Sequence, residues 1–492
     1  MSTVASTLRQ RTVRSLTWQL LGVGGQQGVA FAQSVVLAHV LLKEDIGLAI
    51  KVGAVIAGVE ALTAFTGEQS QIWSARGTER SYLDTVFTIR LLRGLLLAAG
   101  LAALSPVFAW FFHAERYQDH LWLTGLFLAL SGNSLLDALQ SPARATRIKA
   151  MDFRRVAAGD FGGALLGTGG AVVLAFWLRD AWAIVLGQLL QTALRSSVSY
   201  LVAPYRPHVR LERESLRELR KYTLGAAGVP FLMMLIMQAP FLVLGKISHD
   251  ATVAIYGLGE KLAKLPDVIF LRVLSPVALP AYSELKRDLP GLRAAWLGAI
   301  RAFLLFGLPL TITLAWIGDA LPGFVYGADY GGVHGLFTLL SLTGGIAGLT
   351  AVTGPLFWAI GEPYKDRVAQ LFRCLTIYGL GIPLAFQDHA VGFAAAAATA
   401  AAVALVFLIV YAVRRLQVSM REFFAASSAG LLIGGGMLAF LLLIDAVHEP
   451  HGKWRILVGV GIGGPLMLWI LLTRLLGWRG SRATGANVEP GV

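Results

Sequence analysis

Residues 252–285 read TVAIYGLGEKLAKLPDVIFLRVLSPVALPAYSEL, an apolar stretch long enough to cross a bilayer that also carries Glu260, Lys261, Lys264, Asp267 and Arg272. A charged side chain near the bilayer centre costs roughly 2.5–3.5 kcal/mol on insertion scales, so five in one span require partners or a watery cavity. At a rise of 1.5 Å per residue, Glu260 and Arg272 lie about 18 Å apart, and the charges line a path instead of marking one point. Glu260 and Lys264 are i,i+4 neighbours and can neutralise each other. Tyr256, Glu260, Lys264 and Asp267 share one face of an ideal helix, with Lys261 and Arg272 at its border, and Pro266 predicts a kink that blurs this phase. Lys261 and Arg272 have no local partner, a cationic surplus suited to a phosphate or pyrophosphate group.

Outward from this stretch the whole chain is apolar. Of 492 residues, 56% are hydrophobic and 14% charged, and the mean hydropathy is +0.65. Such a composition predicts a polytopic membrane protein. The net charge of +13 reads as lysine and arginine gathered in cytoplasmic loops, not as a nucleic-acid surface. The single cysteine, Cys374, excludes an intramolecular disulfide. After the basic Arg9, Arg11 and Arg14 comes an apolar run of full span length without a small-residue cleavage pattern, which predicts a retained first helix.

Marking apolar runs of about 20 residues predicts roughly fourteen spans. They cover 15–42, 46–69, 86–112, 121–140, 156–178, 182–203, 223–247, 252–281, 297–317, 334–360, 370–386, 390–413, 424–446 and 455–476. Alternate connections hold almost all the loop lysine and arginine, including Arg76 and Arg80, Arg144 to Arg155, and Arg206 to Lys221. This asymmetry predicts both termini in the cytoplasm and an even number of spans. At a constant offset of 205 residues, Gln33, Leu37, Asp45, Ala49 and Ile50 align with Gln238, Leu242, Asp250, Ala254 and Ile255. The expected fold is therefore all-α: two pseudo-symmetric six-helix lobes, residues 1–203 and 223–413, and an additional span pair, 414–476. An amphipathic cytoplasmic connector, 204–222, joins the lobes, and 477–492 form a cytoplasmic tail.

Other polar residues within spans need a reason. Ser15, Gln19, Gln26 and Gln33 recur at spacings of four, seven and seven, a narrow stripe that serves either as interhelical glue or as a cavity wall. The repeat-related seventh span carries Gln238 and is broken by Pro230 and Pro240. In the second span, Lys51 either snorkels to the headgroups or enters the substrate path, and Glu60 either carries a proton or accepts a structural hydrogen bond. Arg90 and Arg93 read as snorkelling anchors. The glycines of GVGGQQG (22–28) lie within a span with no strand before them, so they read as helix packing. His448 and His451 read as polar loop, and no metal or cofactor is expected. No extramembrane segment is long enough to house a catalytic domain, so the chain is not expected to be an enzyme.

The segment 253–285, the basic loop RIKAMDFRRVA (147–157) and fourteen spans with cytoplasmic ends resemble polysaccharide flippases of the multidrug/oligosaccharidyl-lipid/polysaccharide superfamily. The most specific part is the order of a tyrosine, small residues, lysines before a proline turn and a Pro-x-x-x-Pro exit. The resemblance implies two six-helix lobes around a central cationic cavity that moves polyprenyl-pyrophosphate-linked oligosaccharides outward by alternating access. It implies substrate contacts at Lys51, Lys261, Lys264 and Arg272, to which the residue reading adds Gln26, Gln33, Gln238 and Tyr256. Glu60, Glu260 and Asp267 are the candidates for coupling to H+ or Na+. Partners are the lipid-linked oligosaccharide, the membrane, and polysaccharide polymerase and export machinery. Lipid II flippases of the superfamily have a charged residue where this chain has Gln26 and Gln27, which favours an exopolysaccharide, capsule or O-antigen unit. The alternatives are a drug or cation exporter, whose cavity should be acidic or aromatic, and a membrane polymerase or acyltransferase. The latter needs more than the outer loop 318–333, whose acids are Asp319 and Asp329.

Overall fold

The computed structural model describes residues 22, 24–63, 67–112, 119–150, 152–226, 229–264, 275–448, 454–459 and 461. Among these the regular elements are helices, and seven of them are long and apolar enough to cross a membrane. The all-α polytopic fold is thus present, and what varies is where the helices stop. Helix α1 covers 24–40. Helix α2, Lys43–Leu62, is shorter than the expected second span, because the polar run after Leu62 starts a separate short helix, α3, Gly67–Trp73. Glu68 therefore belongs to α3, outside α2. Helix α4, Arg80–Phe111, begins well before its apolar core. α5, His120–Ala138, is capped by the Asp119 carboxylate on the Leu121 N–H. After the short α6, Arg144–Lys149, come α7, Phe153–Leu178, and α8, Ala181–Val202, the latter capped by Asp180 on Trp182 N–H.

The connector is only partly helical. Residues 204–212 are without regular structure and lie against α4, where Thr88 Oγ1 accepts from the Arg210 N–H and Thr85 Oγ1 from the Glu212 N–H, each at 3.0 Å. Tyr205 donates to Asp84 Oδ1 at 2.5 Å. Helix α9, Arg213–Ala226, follows and buries Leu219 against Tyr82 and Val86 of α4. Next come α10, Val229–Ile247, and α11, Asp250–Ala263, which is shorter than the expected eighth span. Residues 265–274, with Asp267 and Arg272, lie outside the described residues. Helices α12, Ser275–Glu284, α13, Leu289–Ile317, α14, Ala320–Tyr326, and α15, Leu336–Ala359, continue the chain. Helix α16, Pro363–Arg415, is broken by Asp388 (φ −140°) and His389 (φ +37°), so its two arms correspond to the expected spans 370–386 and 390–413. Helix α17 is Met420–His448.

The chain forms two compact units, residues 1–258 with 377–393, and residues 259–376 with 394–492. The repeat-based lobes rest on sequence alignment and remain a proposal. The core of the first unit gathers Leu48, Val52, Leu101, Phe127 and Val185. That of the second gathers Trp296, Ile300, Phe303, Phe357 and Leu408. In the second unit α17 packs along α13 through Gly430 and Gly434, facing Leu304 and Leu308. Trp316 Nε1 and Arg455 Nη2 both donate to Asp445, at 2.9 and 3.1 Å.

In the first unit α7 and α8 are the most intimate pair. Gly159, Gly163 and Gly167 recur every four residues along α7, one stripe on its face. An added Cβ would lie 2.2 Å from Val202 at Gly159, 3.3 Å from the Arg195 Cα at Gly163 and 2.7 Å from the Gln191 Cα at Gly167. Small residues at this spacing let two membrane helices approach to backbone contact, where dispersion holds them in place of a hydrophobic drive that lipid does not supply. The GVGGQQG glycines act in the same way: a Cβ at Gly22 or Gly25 would meet Ala157 or Phe161 of α7 at 2.6 and 2.8 Å. Gly167→Val is expected to lower stability in detergent by about 1–3 kcal/mol through overpacking. Gly169→Ala, which meets nothing within 4 Å, should leave the melting temperature unchanged.

Arg76 clasps the connector, with Glu79 at 2.9 Å, Glu212 at 3.0 Å and Glu214 at 2.9 Å. The Glu79 hydrogen bond, with the neighbouring carboxylates, raises the Arg76 pKa. The Ser215 hydroxyl first, and Arg76 with it, holds Glu212 below the usual carboxylate range. A group depressed on folding favours the folded form above its unfolded pKa and loses that contribution as pH falls through the folded value. A spin label at Arg217 is therefore expected to be restrained at neutral pH and to gain mobility as pH falls below the ordinary carboxylate range. Arg76→Gln should show that mobility already at neutral pH, and a label equally mobile in all three conditions would refute the clasp.

Candidate functional site

A polar cavity of about 760 Å³ opens within the first unit, enclosed by helices whose outer faces are apolar. Helix α8 contributes Gln188, Gln191, Thr192 and Arg195, the i, i+3, i+4, i+7 positions of a single face. Helix α5 adds Asn133 and Asp137 one turn apart, with Gln140 just beyond its end. Gln26, Gln27 and Gln33 come from α1, Arg90 and Arg93 from α4, Glu68 from α3, Arg144 from α6 and Asp160 from α7. The α7 glycine seam positions this wall, because Gly163 and Gly167 face the backbone that carries Arg195 and Gln191.

Each cavity guanidinium is already tied. Arg144 donates to Glu68 Oε1 at 2.7 Å and to Asp160 Oδ2 at 2.6 Å, bridging three helices. Arg90 Nη2 donates to the backbone carbonyl of Asp137 at 2.8 Å and stands 3.7 Å from its Oδ2. Arg195 Nη2 donates to Asp137 Oδ1 at 2.8 Å, and Gln140 Nε2 to the same oxygen at 2.5 Å. Arg93 donates to the carbonyls of Glu60 and Thr63 at 2.8 and 2.7 Å, the negative end of α2. Thr192 donates to Asn133 at 2.7 Å and Thr168 to Gln33 at 3.1 Å, which orients two of the amides. With four arginines against Glu68, Asp137 and Asp160, the lining has a formal charge of +1. Such a surface can hold an anionic group between guanidinium planes and hydrogen-bond a polyhydroxylated one along the amides.

Of the residues singled out in the sequence, Gln26 and Gln33 line this cavity. Lys51 and Tyr256 do not: Lys51 Nζ is 2.6 Å from Asp250 Oδ1, with the two side chains 2% and 1% exposed. Tyr256 is buried edge-on between Phe241 and Phe393, at 6.2 and 6.1 Å. Gln238 is half-buried in α10. Glu60 Oε1 accepts from Ser134 Oγ at 2.6 Å. In the second unit Glu260 and Lys264 pair at 2.8 Å, and Lys261 is exposed. Asp137, Asp160 and Arg195 were missed, although the rule that singled out Glu260 applies equally to them. The signal was there in the period of Gln188, Gln191, Thr192 and Arg195. Arg90 and Arg144 were read as an anchor and a loop charge because their positions near span ends fit that simpler role.

Residues 36–334 match the family described as polysaccharide biosynthesis protein. The chain is 23% identical to the amylovoran biosynthesis protein AmsL of Erwinia amylovora, over 64% of this chain and 81% of that protein. It is 20% identical to the lipopolysaccharide biosynthesis protein WzxC of Escherichia coli K12, over 77% and 76%. Among solved structures it is similar to the lipid II flippase MurJ in an inward closed conformation, with a TM-score of 0.70 and 15% identity over 93% of this chain and 99% of that chain. An inward-facing multidrug resistance MATE transporter of the MOP superfamily aligns with a TM-score of 0.61 and 16% identity, over 80% and 96%. At these identities the structural likeness establishes the fold.

The sealed Lys51–Asp250 pair yields a direct test. Lys51→Ala removes the buried ion-pair partner of Asp250 and is expected to cost about 3–5 kcal/mol, whereas the Lys51→Met, Asp250→Leu double variant should be close to neutral. Thermal unfolding in detergent reads both, and a double variant as unstable as the single one would overturn the assignment.

Proposed function

The chain belongs to the family of polysaccharide biosynthesis proteins, and from that premise we propose that it is a flippase for polyprenyl-pyrophosphate-linked oligosaccharides. It carries them from the cytoplasmic to the periplasmic leaflet of the bacterial inner membrane, for exopolysaccharide, capsule or O-antigen synthesis. The observation that carries this reading is the cavity of arginines and carboxamides set among apolar helices. A lipid-linked oligosaccharide presents the matching chemistry: a pyrophosphate for guanidinium forks, sugar hydroxyls for Gln and Asn, and an apolar tail that stays in lipid. The amylovoran and lipopolysaccharide relatives support a polysaccharide precursor as substrate. The solved neighbours, a flippase and a multidrug transporter, support transport over polymerisation or acyl transfer. An organic-cation exporter is less well supported, because Glu68, Asp137 and Asp160 are each bonded to an arginine.

Transport proceeds by alternating access, the head group passing through while Lys261, Lys264 and Arg272 offer further cationic contacts. Coupling to H+ or Na+ runs through Glu60, Glu260 or Asp267, and polymerase and export machinery take up the product. The test is the sidedness of the lipid-linked oligosaccharide in membranes with and without the protein. Loss of the protein is expected to leave the glycolipid on the cytoplasmic face, and Arg195→Gln to slow its appearance outside by about tenfold, as for loss of one charge-assisted contact. Unchanged sidedness without the protein sinks the reading. The same assay across pH with Glu60→Gln decides whether Glu60 carries the coupling ion.

A further inference from the structure

We infer that Asp137 is an internal placeholder for the anionic group of the ligand, whose carboxylate holds Arg90 and Arg195 and yields them on binding. The inference rests on the flippase reading and deepens it at one residue. Two donors converge on Asp137 Oδ1, Arg195 at 2.8 Å and Gln140 at 2.5 Å, and the Arg90 guanidinium stands 3.7 Å from Oδ2 as an ion-pair partner. Two guanidinium groups and an amide arranged about one carboxylate are the donor set that a phosphate oxygen also seeks.

The other cavity carboxylates are poorer candidates. Glu68 and Asp160 share Arg144 at 2.7 and 2.6 Å and hold α3, α6 and α7 together, so displacing either unties the helices. Asp137 differs in two ways. Its pair with Arg195 is the most open of the set, with side chains 40% and 50% exposed, and exposed pairs are the weakest. Arg90, only 20% exposed, is also anchored on the Asp137 backbone carbonyl at 2.8 Å. When the carboxylate swings aside, that anchor keeps the Arg90 guanidinium in place. The arriving anion then meets one fixed and one adjustable arginine, which the carboxylate has held in place beforehand. Asp137 is a specificity-determining residue under this account: it sets the charge a ligand must bring before it can enter.

Calorimetric titration of the full chain in detergent with inorganic pyrophosphate and with an uncharged trisaccharide tests this. Asp137→Asn keeps an acceptor oxygen for Arg195 but removes the competing charge. It is expected to tighten pyrophosphate binding about fivefold and leave the trisaccharide unchanged, and Asp137→Ser should do the same. A gain confined to the anion is not what structural damage produces. If both variants bind pyrophosphate no better than the parent while Arg195→Gln weakens it, the placeholder is overturned and the flippase reading stands. If pyrophosphate binding ignores Arg195→Gln and glycolipid sidedness does not depend on the protein, the flippase reading fails and the placeholder with it.

Discussion

The pairing of a guanidinium with a carboxylate inside a bundle of apolar helices is the interaction on which the rest of this molecule depends. An unpaired charge at that depth is expensive, and a paired one is tolerable only when both partners are held at hydrogen-bond distance. The first unit meets this condition repeatedly. Arg144 ties α3 to α7 through Glu68 and Asp160, and Lys51 joins α2 to α11 through Asp250, whereas Asp137 holds Arg90 and Arg195 in a more open, looser pairing. Arg93 takes the alternative route of the carbonyls that end α2. Each tie also fixes the rotation of the helices it joins, so the charges that a ligand needs double as the devices that set the shape of its cavity.

Such ties work only if the helices come close enough. The glycine stripe of α7 brings its backbone against Arg195 and Gln191, which turns the polar face of α8 toward α5 and the cavity. Thr192 then reaches Asn133, and Ser196 reaches the Leu136 carbonyl at 2.7 Å. Helices α5, α7 and α8 are thus locked by packing on one side and by hydrogen bonds on the other. In the second unit the same division recurs around α13, with Gly430 and Gly434 making the close approach and Trp316, Asp445 and Arg455 the polar tie. The last described helices are therefore fastened to the α13 core of their own unit.

Much of the fold was legible one residue at a time. Apolar runs of span length marked where the helices lie. The reversal at Asp388 and His389 fell between two expected spans. The GVGGQQG stretch was readable as packing because glycines inside a span have little else to do. Of the cavity, Gln26 and Gln33 were visible because their spacing is a property of one helix, and a period survives whatever the helix packs against.

What the sequence by itself determined was therefore everything local: apolar length, helical period, loop charge and the polar residues out of place in lipid. Which of those polar residues meet was decided only by tertiary structure. Lys51 and Glu60 lie on one helix, yet the first is sealed against Asp250 and the second receives a hydrogen bond from Ser134. Arg90 and Arg195, 105 positions apart, share one carboxylate. The physical reason is that charge pairing acts over a few ångströms in space without regard to separation along the chain, so the partner of a buried charge exists only once the helices have packed.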